Sequence, residues 1–186
     1  MNWWTERGIF MNSFMNKSDS EEKSEFVSNL NIFRQIDFFS GVSIEVIKLF
    51  ALLCLRQTYK AEDFIFHQDD DDGCSYYILS GKAKLVFTKE EKKYFIREYE
   101  AESFFGVLSL MTPMVKQFSL IATQDATCMV MTRKAFSKVV DQFPDIPLKI
   151  TRSIGERVLQ AERKCILEFE SKERDDLKNL LGISLI

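Results

Sequence analysis

Histidine occurs once in this chain, at His67, and the four cysteines, Cys54, Cys74, Cys128 and Cys165, stand far apart with no Cys-x-x-Cys pair. A zinc site needs such ligands at close spacing and a disulfide framework needs a denser set, so neither is predicted. A Ser-His-Asp triad would have to be built on His67, which follows an apolar run and has no recognisable serine partner, so it reads as a strand or turn residue. No segment holds ~18 consecutive apolar residues, which excludes a predicted membrane-spanning helix. Trp3-Trp4 is followed by Glu6 and Arg7 rather than by the apolar stretch of a secretory signal. The formal net charge of −3 lacks the basic excess that draws a protein to nucleic acid or acidic lipid. The expectation is a cytoplasmic, non-enzymatic protein with no metal, no direct DNA binding and no membrane span.

What is present is apolar and aromatic. With 46% hydrophobic residues and 17 phenylalanines among 186, the chain can bury one substantial core. Residues 1–23 are rich in Asn, Ser and Met and are predicted to be a flexible segment, with Trp3, Trp4, Phe10 and Phe14 available to stick to a surface. From Glu21 to Gln35, Phe26, Leu30 and Phe33 recur at helical spacing behind an acidic first turn, which predicts an amphipathic helix. A second helix at about Ile44 to Leu55 follows Ser43, a candidate cap.

Between Arg56 and Arg133 the pattern changes to short apolar or alternating runs: Phe64-Ile65-Phe66, Tyr76 to Leu79, Ala83 to Phe87, Tyr94 to Tyr99 and Cys128 to Met131. Short strands at this spacing predict a sandwich or barrel. The acidic run Asp69 to Asp72 before Gly73 fails as a calcium loop. With Gly73 at the sixth position, Leu79 falls where a bidentate glutamate is needed. A solvated turn under mutual repulsion is the expectation.

The stretch Glu102 to Thr123 (ESFFGVLSLMTPMVKQFSLIAT) has the frame of an anion cradle. Gly106 permits an unusual backbone angle or a close approach, and Val107 to Met111 suit one short helical turn whose amides would attract an anion. Beyond Pro113, the alternation of Phe118, Leu120 and Ala122 with Gln117, Ser119 and Ile121 suits a strand.

From Phe38 to Arg157 the chain resembles the cyclic nucleotide-binding domain family, which includes the regulatory subunits of cyclic AMP-dependent kinase, nucleotide-gated channels and the bacterial catabolite activator protein. The carriers are Phe38-Phe39 with Ile44 to Leu53, YKAEDFIFHQDD, YYILSGKAKLVF with Gly81, FFGVLSL, and FPDIPLKITRSIGERV. The resemblance implies an α+β, mainly β, architecture: a double-stranded β-helix or jelly-roll barrel with N-terminal helices and a long C-terminal helix. It also implies a division into residues 1–23, a helix-plus-barrel domain over 24–145, and a helix and tail over 146–186. The implied function is a regulatory sensor for a small anion, cyclic AMP or cyclic GMP among the possibilities, with the ligand coupled to movement of the C-terminal helix. The alternative is a structural or interaction module that keeps the fold without the nucleotide.

The implied ligand residues are Phe105, Gly106, Val107, Leu108, Ser109, Lys116, Gln117, Phe118 and Ser119. Two of them depart from the family. Val107 replaces the glutamate that accepts from the ribose hydroxyl, and valine accepts nothing. Lys116 stands in the slot of the phosphate-pairing arginine, a point charge without the planar fork. A different gap between Pro113 and Lys116 would put Gln117 there instead. Phe118 falls where a small residue is usual and points either into the barrel core or into nucleotide space. Glu62, Asp69 and Glu102 replace turn glycines, so those turns are expected to change type.

The closing helix is predicted from about Pro147 to Leu181. Ile150, Ile154, Val158, Ala161 and Cys165 form a narrow apolar seam, with Leu159, Ile166 and Phe169 beside it. Part of it must pack on the barrel and the rest suits the same helix of a second subunit, predicting a homodimer. Basic and acidic residues balance on its polar face, with Glu168/Lys172 and Glu170/Arg174 at favourable spacing.

Overall fold

The computed structural model describes residues 19–167. Most of the expected flexible segment, with Trp3, Trp4, Phe10 and Phe14, lies outside the described residues, as do the helix pairs Glu168/Lys172 and Glu170/Arg174. The element order is α1 (Asp19–Phe33), a 3-10 turn (Asp37–Phe39), α2 (Ile44–Leu53), β1 (Leu55–Tyr59), β2 (Phe64–Phe66), β3 (Cys74–Ser80), β4 (Ala83–Lys89), β5 (Lys92–Tyr99), β6 (Phe104–Phe105), a second 3-10 turn (Val107–Leu110), β7 (Ser119–Ala122), β8 (Ala126–Thr132), α3 (Arg133–Val140) and α4 (Ile146–Leu167). The strands form two antiparallel four-stranded sheets, ordered β1-β8-β3-β6 and β2-β7-β4-β5. This is the expected mixture of helices and a mainly β barrel.

Continuous apolar runs in β3 and β8 follow from packing on both faces. Successive strand side chains point to opposite sides. Tyr76, Ile78, Cys128 and Val130 enter the core between the sheets, whereas Tyr77, Met129 and Met131 enter a second core under the helices. The sheet β1-β8-β3-β6 is therefore a wall shared by two cores. The helical core is built on phenylalanine: Phe50 stacks on Phe136 with centroids 5.5 Å apart, and Phe39 meets Phe33 edge-on at 4.8 Å. Burying Phe50 completely contributes about 2–3 kcal/mol.

Helix α1 is pinned to this wall by polar contacts. The Asn29 side chain donates to the Ala51 carbonyl at 3.2 Å and accepts from Arg56 at 3.2 Å, joining α1, α2 and β1. Ser43 takes the N-cap position of α2 with extended backbone, yet its side chain makes no capping hydrogen bond, contrary to expectation.

The acidic turn residues also differ from expectation. Glu62, Asp69 and Glu102 keep left-handed backbones, with φ of 69°, 66° and 71°, so the turns did not change type when their side chains did. Neighbouring hydrogen bonds hold them there. The Glu62 amide donates to the Ala122 carbonyl at 2.8 Å, and the Glu102 amide donates to the Ile78 carbonyl at 2.9 Å.

One rung of the barrel is made by a side chain. Beyond the end of β2, the Gln68 amide group donates to the Thr88 carbonyl at 2.9 Å and accepts from the Thr88 amide at 2.7 Å, acting as a substitute peptide group.

The seam of α4 divides along its length. Ile150 is fully buried in the helical core and Ile154 packs beside it, whereas Val158, Leu159 and Ala161 are exposed. The side chain of Cys165 and everything beyond Leu167 lie outside the described residues.

Candidate anion-binding cassette

Gly106 adopts φ +74° between β6 and the 3-10 turn Val107–Leu110. A Cβ there would stand 2.5 Å from the Cys74 carbonyl oxygen and 2.8 Å from Lys116 Nζ, so the glycine is required both by its backbone and by a close approach. The approaching group is the chain's own lysine.

Lys116 is 5% exposed. Its ammonium donates to the Cys74 carbonyl and to Ser109 Oγ, each at 2.8 Å, and pairs with Asp72 Oδ1 at 3.1 Å. It also sits 5.3 Å from the ring centre of Phe66 and 5.8 Å from that of Tyr76, whose π faces favour a cation. All three donors of the ammonium thus have partners, as a buried charge requires.

The partner carboxylate is equally engaged. Asp72 Oδ1 accepts the Cys74 amide at 2.9 Å and Oδ2 accepts the Tyr76 hydroxyl at 2.9 Å. Burial, with smaller contributions from Cys74 and Asp72, drives the Tyr76 hydroxyl far above its ordinary range, so it remains a donor. The Cys74 thiol is pushed up to about 11, chiefly by burial and then by Asp72. Beside this pair, Asp71 forms an ion pair with Arg133. Arg133 opens α3 because Thr132 caps that helix, its hydroxyl accepting from the Ala135 amide at 3.1 Å. The Arg133 Nε donates to the Ser109 carbonyl at 2.6 Å.

The acidic run is therefore not a freely solvated turn. Asp71 and Asp72 are the counterions of two cations, one from the cassette loop ahead of β7 and one from α3. Asp71, Asp72 and Arg133 are the site residues that the sequence reading missed. The signal available was electrostatic: a lysine in an apolar frame needs a counterion, and the nearest acidic run precedes β3.

The nine expected ligand residues separate into groups. Gly106, Ser109 and Lys116 come together as described. Phe105 packs edge-on against Tyr99 at 4.8 Å, and Phe118 packs against Phe87 at 6.0 Å and on the barrel core, which resolves its orientation toward the interior. Val107 packs against the helical core and Leu108 is exposed. Gln117 is exposed and its amide reaches only the Val115 carbonyl at 3.4 Å, so Lys116 and not Gln117 faces the turn. Ser119 Oγ is engaged by the Gln68 amide at 2.9 Å, away from the lysine.

A glycine-led 3-10 turn here faces a cation from the segment that leads into β7. Residues 56–143 match the cyclic nucleotide-binding domain. Among curated relatives, rat patatin-like phospholipase domain-containing protein 7 is 25% identical over 96 residues, covering 51% of this chain and 7% of that protein. The cAMP-dependent protein kinase regulatory subunit of Hypocrea atroviridis is 29% identical over 99 residues, covering 53% of this chain and 20% of its own length. The chain thus spans a small part of either relative. Among solved structures, a cyclic nucleotide-binding domain from Methylobacillus flagellatus superimposes with a TM-score of 0.64 at 17% identity, covering 82% of this chain and 85% of that one. The likeness in fold accompanies a cassette with no side-chain acceptor at Val107 and with Lys116 already paired to Asp72.

Among the described residues, no helix is long and apolar enough to cross a membrane.

Proposed function

We propose that this chain is a regulatory domain of the cyclic nucleotide-binding type that holds its cassette closed with its own side chains, without cyclic AMP or cyclic GMP, and acts through α4. One observation carries this reading: Lys116, the residue in the phosphate-pairing position, is buried and paired with Asp72 at 3.1 Å. A cyclic phosphate brought to that ammonium would meet the Asp72 carboxylate, and like charges at such range repel strongly away from bulk water. Val107 offers no acceptor for a ribose hydroxyl. Phe118 and Phe105 contribute to an aromatic filling of the barrel interior.

The exposed part of the α4 seam suits an output surface. Val158, Leu159 and Ala161 lie beyond the portion of the helix consumed by the domain's own core, and a second copy of the chain presenting the same stripe would cover them in a two-fold dimer. The reading is of a binding and regulatory module, not an enzyme.

The test is thermal unfolding of the wild-type protein with millimolar cyclic AMP and cyclic GMP. A ligand that binds only the folded state raises the midpoint. No shift is expected. A saturable shift abolished by Lys116→Ala would instead make the chain a nucleotide sensor.

A further inference from the structure

Asp72 supplies at Lys116 the negative charge that a bound phosphate would supply, and it is delivered by a segment fastened to the cassette at several points. The Asp69 amide donates to the Lys116 carbonyl at 2.8 Å, and the Lys116 amide donates to the Asp70 carbonyl at 2.9 Å, so the main chain of the acidic loop is stitched to the segment that carries the lysine ahead of β7. Asp72 then reaches the ammonium, while Asp71 reaches Arg133 at the start of α3. The Arg133 amide donates to the Gly73 carbonyl, and its guanidinium holds the Ser109 carbonyl of the 3-10 turn. A carboxylate recruited only to neutralise a stray lysine would need none of the contacts to α3. Here two adjacent anions bridge two cations from different elements, which joins the cassette, the loop and the helix that leads into α4.

We infer that the loop of residues 69–72 is a tethered anion: an internal ligand that takes the phosphate position of the cassette and clamps the cassette to α3. It follows that a phosphate site lies latent at Lys116, Ser109 and Gly106, masked by the charge of Asp72. This rests on the reading that the wild-type cassette is closed to cyclic nucleotides. The chemistry exposed on removing that charge is recognition of a phosphate oxygen by a buried ammonium and a hydroxyl, whether the phosphate is free or part of a cyclic nucleotide.

The full chain carrying Asp72→Asn tests the idea, because asparagine keeps the oxygen that accepts the Cys74 amide while losing the charge. Inorganic phosphate and cyclic AMP are titrated separately by calorimetry at low and high salt into wild type, Asp72→Asn, Asp72→Asn/Lys116→Met, and Asp70→Asn. The last variant removes an equal charge from the same loop at a residue whose contact to Lys116 is through its main chain. The tethered anion predicts that Asp72→Asn binds phosphate about ten-fold or more tightly than wild type, that salt weakens the binding, and that the double variant loses it. Binding of phosphate without cyclic AMP also supports it, with the aromatic interior excluding the nucleoside. Should Asp72→Asn fail to fold alone, millimolar phosphate is expected to restore folding, and no restoration overturns the inference.

Absence of binding in both wild type and Asp72→Asn overturns the tethered anion and leaves the nucleotide-independent reading standing. Wild type binding cyclic AMP as tightly as Asp72→Asn overturns both. An equal gain in Asp70→Asn attributes the effect to net charge and overturns the inference.

Discussion

A Cβ on residue 106 and the ammonium of Lys116 compete for the same space: the first would stand 2.8 Å from the second. The two positions are coupled although nine residues of the cassette lie between them in sequence. Gly106→Ala must expel the lysine or shift β3, and it also forces a side chain into φ +74°. A loss of about 2–3 kcal/mol is expected in denaturant unfolding. A change within experimental error would show that the cassette re-forms without its glycine.

The ion pair behind that glycine is best resolved by a double-mutant cycle. Lys116→Met and Asp72→Ala each strand a charge whose partner is removed, Lys116 being nearly enclosed and Asp72 about a fifth exposed at the side chain. Each is expected to cost about 3 kcal/mol, and the double variant distinctly less than their sum, because a buried apolar substitute strands nothing. Additive losses would mean that the pair is held apart by solvent.

The β4–β5 hairpin carries a different strain. Lys89 pairs with Lys92 across a two-residue loop in which Glu90 and Glu91 both have positive φ, 51° and 63°. That backbone suits Asn-Gly, and glutamate adopts it at a cost of about 1 kcal/mol or more per residue. Glu90→Asn with Glu91→Gly is expected to raise stability by about 1–2 kcal/mol, read as a higher denaturant midpoint at constant slope. A lowered midpoint would mean that the glutamate side chains stabilise the turn by contacts of their own.

Helix α4 permits a separation of folding from association. Ile150→Ala, in the core, is expected to cost about 2–5 kcal/mol without changing mass in solution. Val158→Glu, on the exposed part of the seam, is expected to leave stability of the isolated domain within about 0.5 kcal/mol while lowering the mass in light scattering from that of the proposed dimer to that of a monomer. Unchanged mass in the second variant would move the output surface elsewhere.

Acid titration probes the loop clamp. The hydrogen bond from Arg133, with a further Coulomb attraction from the same group, holds the Asp71 carboxyl below its ordinary value against an opposing desolvation. A depressed folded-state pKa stabilises the fold fully above the unfolded pKa of about 3.9, and that contribution fades as pH falls through the lower folded value. Asp71→Asn is therefore expected to reduce stability near neutrality and to flatten its decline below about pH 4. An unchanged acid limb would show that the pair does not form in solution.

Much of the frame was legible because it repeats locally. The apolar runs of β3, β4 and β8 and the helical spacing in α1 and α2 are short-range patterns, and a strand or helix obeys them wherever it packs. Gly106 announced a special backbone, and the alternation after Pro113 placed a strand where β7 lies. What could not be read was across the chain. Lys116 meets Cys74 and Asp72 from more than forty positions away, and no periodicity connects them. The acidic run looks repulsive in sequence because its cations come from the cassette loop ahead of β7 and from α3. The left-handed glutamates were misjudged for a related reason: intrinsic preference spoke for a new turn type, while main-chain hydrogen bonds to Ala122 and Ile78 kept the old one.

The rung formed by Gln68 gives the barrel a chemical clock. Its carboxamide serves Thr88 as both donor and acceptor, and only an intact amide can do both. Deamidation would leave an oxygen facing the Thr88 carbonyl and add a fifth consecutive acidic residue beside Asp69, so ageing of a single glutamine would unfasten β4 from the end of β2 while every backbone bond stayed whole.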